Sequence, residues 1–387
     1  MPGVRIALLS ATFPPYRGGA GTVAFHHAEG LADRGHRVEV LTAESPGEIH
    51  DPEGAVVRRQ QPLVRIGNAP LIPRIAGLTG FDVIHFHHPF IFGTELALLA
   101  RRRSRRTALV VAYHNRLIGE RLRRPLFWLY EETSGRALLH SADRVCPLSE
   151  NHAEGLPTVA ALRRRAPHRV SVLPNGVDTN AFSPGPDRAR IRAAHGISEG
   201  AIVALVVATL DRAHYLKRVD VAIDALGMAG ESRLHMLIAG GGEWLDRYRR
   251  QAASSGVEQR VTFLGPLDHA QLPDVMRTAD MLVVSSDREA FPLVLLEAMS
   301  SELPTIASDL PGTRAVVRNG QTGLLVRSAD PPALAAAMDE LAKAGPERRH
   351  AMGKRGRADC VREYAWPLVI DRLEAIYRDA MEERRSR

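Results

Sequence analysis

The segment 281–308, MLVVSSDREAFPLVLLEAMSSELPTIAS, holds the densest set of groups able to do chemistry. An apolar run from Met281 leads through a short loop to Pro292, a residue preorganised for the first position of a helix. Amides at a helix N-terminus lack intrahelical partners and sit at the positive end of the dipole. The N–H groups of Phe291, Leu293 and Val294 therefore form an anion site suited to a diphosphate. Two carboxylates flank it, Glu289 in the loop and Glu297 about one and a half turns into the helix. Bound phosphate repels a carboxylate, so each makes better sense as an acceptor for sugar hydroxyls. A plainer reading, Glu289 as a first-turn charge and Glu297 as a solvated helix position, stands beside it.

Other groups are less specific. Gly18 and Gly19 follow a strand-like run and two prolines, where glycine lets backbone amides approach a ligand closely. The same stretch contains Gly19-Ala20-Gly21-Thr22-Val23-Ala24, a G-x-G-x-x-A match with Glu44 at the end of the next apolar run. A dinucleotide fingerprint starts directly after its strand, however, and here FPPYR intervenes. His85, His87 and His88 form H-x-HH without the carboxylates that would complete a metal site, and no D-x-D triplet occurs to hold a metal-bridged diphosphate. No metal and no cofactor is expected. His114 ends the run ALVVAYH; in itself it is as well explained as a buried strand-end histidine.

At 387 residues the chain exceeds one ordinary domain, and no apolar run reaches the ~18 residues of a membrane span. Short apolar runs recur: RIALLS, RVEVLT, FDVIHF, ALVVAY, RVCPLS, RVSVLP, AIVALVVAT, LHMLIAG, RVTFLG, MLVVSS and PTIAS. Helical stretches such as 22–34, 245–253 and 332–342 lie between them. That alternation predicts parallel sheets covered on both faces, hence two doubly wound Rossmann-like α/β domains facing across a cleft. Their boundary is placed in the proline-rich stretch RVSVLPNGVDTNAFSPGPD, giving domains 1–183 and 184–366. A C-terminal helix, 367–387, is left to pack on either domain or back on the first.

Cys146 and Cys360 are too few for a disulfide framework or a thiolate site and are expected to be packing residues. MPGVRIALLSATFPP lacks the regions of a signal peptide, so a cytoplasmic protein is expected. The net charge of +7 suits an anionic partner, but only three of the 51 basic residues are lysines, a skew that codon usage explains; no nucleic acid is expected. RLRRPLFWLYEETSGRALL interleaves Arg121, Arg123 and Arg124 with Phe127, Trp128 and Tyr130. It reads as a core helix with a solvated face, the alternative being a rest on an anionic membrane face.

The E-x7-E spacing of Glu289 and Glu297 around Phe291-Pro292-Leu293 resembles the donor site of the family 4 retaining glycosyltransferases, which have the GT-B fold. PPYRGGAG, FDVIHFHHP, the histidine after VVAY, ADRVCPLSE, LPNGVD, IAGGG and VTFLG agree in order across nearly the whole chain. The resemblance implies Glu297 on the nucleotide ribose, Glu289 on the transferred sugar, and Phe291, Pro292, Leu293 and Val294 as the cradle for sugar and phosphate. It places Gly18 and Gly19 against the diphosphate and acceptor, His114 beside the transferred sugar, and base contacts near Leu264 and Gly265. An arginine and a lysine of that family neutralise the diphosphate; here they correspond to Arg212 and Lys217. This sequence departs by having Ala208-Thr209-Leu210 where many members have Gly-Arg-Leu, which makes Lys217 the firmer correspondence.

The activity that this resemblance implies is metal-independent, retaining transfer of a hexose-type sugar from a UDP- or GDP-sugar. The acceptor hydroxyl would lie on a lipid-linked glycan or glycolipid, or on a natural-product aglycone or aminocyclitol. Domain closure would exclude water. A nucleotide-sugar-binding protein without turnover and an NAD-dependent oxidoreductase are the other readings.

Overall fold

The computed structural model describes residues 3–16, 18–117, 124–185 and 188–386. Of the residues named or spelled out above, Met1, Pro2, Arg17, Arg121, Leu122, Arg123, Pro186, Asp187 and Arg387 lie outside the described residues. The chain divides into two compact units, Met1–Asn175 with Trp366–Arg387, and Gly176–Ala365. The stretch 176–183 thus goes with the second unit, where Ser300 Oγ and Arg357 Nη1 both donate to the Phe182 carbonyl.

The first unit is built on β1 (Arg5–Leu9), β2 (Arg37–Ala43), β3 (Val56–Gln60), β6 (Val83–His88), β7 (Ala108–Tyr113) and β8 (Arg144–Pro147), with a small antiparallel pair, β4 (Val64–Ile66) and β5 (Ala69–Leu71). The six pair in parallel in the order β3-β2-β1-β6-β7-β8. Strands buried on both faces need apolar residues throughout, and β7 is buried at every position. The Trp366–Arg385 helix lies in this unit: Val369, Ile370, Leu373, Ile376 and Tyr377 join Ile6, Leu8, Val83 and Val110 in one core. Cys146 packs in that same core, and burial pushes its thiol up to about 12.

The second unit repeats the plan with β9 (Ile202–Val207), β10 (Leu234–Ala239), β11 (Val261–Gly265), β12 (Met281–Val284), β13 (Thr305–Ser308) and β14 (Gly323–Val326). Its parallel order is β11-β10-β9-β12-β13-β14. In each sheet the order reverses beside the first strand, between β1 and β6 and between β9 and β12. Loops leaving the carboxyl ends of those strands diverge there and open a crevice.

Four local expectations need correction. RVSVLP is no strand: Val170 makes only an isolated bridge with Val145, and Pro174, without an N–H, cannot extend the ladder. The first helix runs over Gly19–Asp33 and so begins before Thr22; G-x-G-x-x-A lies inside it. The Leu293–Ser300 helix starts one residue after Pro292, which is its N-cap with extended backbone (ψ 120°). RLRRPLFWLYEETSGRALL is a core helix only in its second half. Its described part runs unbroken through Arg124–Tyr130, a π-helical turn at Glu131–Gly135 and Arg136–Ser141, where Leu138 and Leu139 join the core. In the first piece only Tyr130 is buried, its hydroxyl bonded to Thr94 Oγ1 at 2.5 Å, while Leu126, Trp128 and Leu129 are exposed.

Candidate active site

In the second unit, the loop after β9 and the loop after β12 leave the sheet on either side of its switch point, and the sequence-selected residues cluster there. Lys217 Nζ donates to Glu289 Oε1 at 2.8 Å, and Ser286 Oγ donates to the same oxygen at 2.7 Å. The Glu289 side chain is only 9% exposed, against 35% for Lys217, so the pair sits at the rim of the protein with its anion inward.

The two loops are tied together. Ser285 Oγ donates to the Lys217 and Arg218 carbonyls, and the Asp287 amide donates to Leu216 O. Arg218 takes left-handed backbone (φ 49°) and bridges Asp220 and Asp287, whose carboxylates hold its guanidinium above the usual range. Lys217 is thereby fixed from both neighbours, a condition for precise charge placement. Arg212 is exposed, and its backbone amide bonds Glu243 Oε1 at 3.2 Å; the structure does not bring its guanidinium into hydrogen-bond contact with the Lys217–Glu289 pair.

Glu297 is buried on the Leu293–Ser300 helix, and its Oε1 lies 2.8 Å from His269 Nε2. That bond, with the charge of Glu297, raises the His269 pKa against the opposing effect of burial. One oxygen of Glu297 is thus committed to histidine and the other is available for hydroxyls. Phe291 is buried with its ring edge-on to Tyr364; of the first-turn amides, that of Leu295 donates to Pro292 O at 3.2 Å, while those of Leu293 and Val294 have no intrahelical acceptor by geometry. Leu264 and Gly265 end β11, and Gly265 O accepts from the Gly240 amide at 2.9 Å. Gly240 is a requirement of close approach: with φ 149°, an added Cβ would stand 1.8 Å from Ala208 O. The IAGGG turn therefore lies directly against Ala208-Thr209-Leu210, the start of the loop that carries Lys217.

In the first unit, Gly18 caps the Gly19–Asp33 helix at the carboxyl end of β1, beside that sheet's switch point. His114 follows β7 and is buried. Its Nε2 lies 2.8 Å from His87 Nδ1, and its ring stacks on His87 at 5.0 Å. Burial, with His152 and His88 adding to it, lowers its pKa to about 3, so this imidazole is neutral at any working pH.

Sequence reasoning missed Ser286, Arg218, His269 and His87 as partners of these groups. Ser286 stands three residues before Glu289 and was legible as a loop acceptor's neighbour. His269, in PLDHAQ, gives no signal until the fold sets β11 beside the helix.

Two six-stranded, fully parallel sheets of order 3-2-1-4-5-6, each with its charged or glycine-bearing loops at the switch point, define a GT-B protein. Sequence comparison agrees: a model described as glycosyl transferases group 1 matches residues 187–359, and one described as Glycosyltransferase Family 4 matches 17–181. The chain is 30% identical to a protein named D-inositol 3-phosphate glycosyltransferase 1 from Catenulispora acidiphila, over 99% of this chain and 97% of that one. It is 29% identical to a D-inositol 3-phosphate glycosyltransferase of Mycolicibacterium gilvum, over 99% and 91%. Among solved structures, sucrose-phosphate synthase from Thermosynechococcus elongatus superposes with a TM-score of 0.81 over 98% of this chain and 99% of its own, at 24% identity. The chain belongs to the family 4, or group 1, glycosyltransferases.

Proposed function

We propose that the protein is a retaining hexosyltransferase that uses a nucleoside diphosphate sugar and needs no metal at the diphosphate. The observation that carries this is the Lys217–Glu289 pair beside the Leu293–Ser300 helix N-terminus, with Glu297 one turn further on. Lys217, Arg212, the Gly18-Gly19 loop and the helix amides offset charge that grows on the leaving diphosphate, the role preorganised donors fill best. Glu297 accepts from the ribose, Glu289 from the sugar, Leu264 and Gly265 meet the base, and neutral His114 hydrogen-bonds a sugar hydroxyl. The bond from anomeric carbon to phosphate oxygen breaks while the acceptor oxygen bonds the same face, and the departing phosphate oxygen takes the acceptor proton.

The names of the relatives support a phosphorylated cyclitol as the acceptor class. Exposed Leu126, Trp128 and Leu129 beside Arg124 support a further contact with an anionic membrane surface. The test is incubation of UDP- and GDP-hexoses with D-inositol 3-phosphate, read by mass spectrometry and by the anomeric proton coupling of the product. The expected product keeps the donor's anomeric configuration, with turnover indifferent to added magnesium or manganese. An inverted product, or strict dependence on magnesium, contradicts the proposal.

A further inference from the structure

Buried histidines crowd one place in the core of the first unit, and the glycosyl-transfer reading uses none of those that carry this inference. Side chains alternate along a strand, so His85 and His87 of β6 share a face, their rings 4.6 Å apart. His27 of the Gly19–Asp33 helix lies over both, at 5.3 and 5.4 Å, and all three are buried. The two strand histidines have their Nδ1 atoms engaged: His85 with the Tyr377 hydroxyl, His87 with His114 Nε2 at 2.8 Å. His85 Nε2, His87 Nε2 and both nitrogens of His27 have no hydrogen-bond partner. A buried polar atom left unpaired is costly, and four of them on three touching rings call for a common partner. One ring nitrogen from each residue lies within 4.8 Å of the other two.

We propose that His27, His85 and His87 form a three-imidazole site for a first-row divalent cation of the zinc type. Neutral imidazole is the ligand such ions favour, and these rings present free nitrogens and nothing softer or harder. Bonds of ~2.0–2.1 Å in tetrahedral geometry set ligand nitrogens about 3.4 Å apart, so the rings close by at most roughly 1.4 Å on binding. Ligating histidines usually fix their second nitrogen on another group, and His85 and His87 already do. With the ion on Nε2, the Nδ1 proton of His87 is donated to His114 Nε2, which leaves His114 as the Nδ1–H tautomer. No carboxylate belongs to this cluster among the described residues, so water or hydroxide completes the coordination. The H-x-HH motif misleads in one respect, since His88 stacks on Tyr113 at 4.5 Å and the third imidazole comes from a helix distant in sequence.

The test uses full-length protein without a polyhistidine tag, stripped with chelator and titrated with zinc(II) and cobalt(II). One equivalent per chain is expected, with X-ray absorption at the zinc edge showing three imidazole ligands and no sulfur. His27→Leu should lose the equivalent, while His350→Ala, at an exposed histidine, should keep it. Should His27→Leu fail to fold, the absorption spectrum of the wild type decides alone. The proposal is overturned by wild type that binds no equivalent, by an equivalent that survives in folded His27→Leu, or by a coordination shell with fewer than three imidazoles. None of these readouts depends on turnover.

Discussion

Replacing Lys217 by alanine is the sharpest perturbation of the donor site. Its ammonium has three N–H donors; Glu289 takes one at 2.8 Å, and the proposed diphosphate takes another. A charged hydrogen bond is worth ~1.5–3 kcal/mol, and the one-third exposure of Lys217 places this one near the lower end, about 2 kcal/mol. At 1.4 kcal/mol per tenfold, the affinity for a nucleoside diphosphate should fall about 30-fold, and that for the nucleoside hardly at all. Charge on the leaving diphosphate is greater in the transition state, so kcat/KM should fall further, by roughly 10²–10³ as for other single donors to a developing anion. Glu289→Gln should behave oppositely in binding. It removes a negative charge beside the phosphates, so diphosphate affinity holds or improves while turnover falls. Because Glu289 holds Lys217, the double variant should lose less than the product of the single losses. Calorimetric titration with UDP and GDP, followed by nucleotide-release kinetics, reads all three. If Lys217→Ala binds both diphosphates within twofold of wild type, the electrostatic reasoning fails.

Three other outcomes rest on the geometry. The His269 pKa is raised by its bond to Glu297, so the stabilisation it brings is complete below the unfolded value of 6.5 and fades as pH rises through the folded one. Glu297→Gln should lower the His269 pKa in an NMR titration and flatten stability across that window; an unmoved resonance would sever the two. Gly240→Ala places a Cβ 1.8 Å from Ala208 O at φ 149°, and urea unfolding should show a loss of at least ~2 kcal/mol, with a shift below half that refuting the close approach. Trp128→Ser with Leu129→Ser, both at exposed positions, should abolish sedimentation with anionic vesicles at unchanged Tm, and vesicle binding that persists would rule this surface out as the membrane contact.

The legibility of each element in the sequence depends on where its signal comes from. Strands such as β7, β9 and β12 announce themselves because burial on both faces demands unbroken apolar runs. β3, whose residues Val56–Gln60 end in Arg-Arg-Gln at the sheet edge, carries no such run and was missed. Glu289 and Glu297 were legible because loop and helix keep them on one continuous segment. Their partners Lys217 and His269 arrive from other loops, and only the lysine had a resemblance to mark it. His27 was invisible for the same reason, being a single histidine on an amphipathic helix until β6 is set beneath it. The Leu126–Trp128–Leu129 stretch has core composition yet is exposed, while the same helix beyond the π-helical Glu131–Gly135 buries Leu138 and Leu139; composition does not tell the two halves apart.

The central claim is that the loops at the second unit's switch point hold a nucleoside diphosphate sugar. Thermal denaturation of the wild type with UDP, GDP, dTDP, ADP and NAD tests it most directly, since a ligand at 100 times its Kd stabilises by ~2.7 kcal/mol. The predicted result is a rise in Tm with one nucleoside diphosphate above the rest, cut to about a third in Lys217→Ala by its ~30-fold weaker binding. A rise with NAD and none with any diphosphate would contradict it.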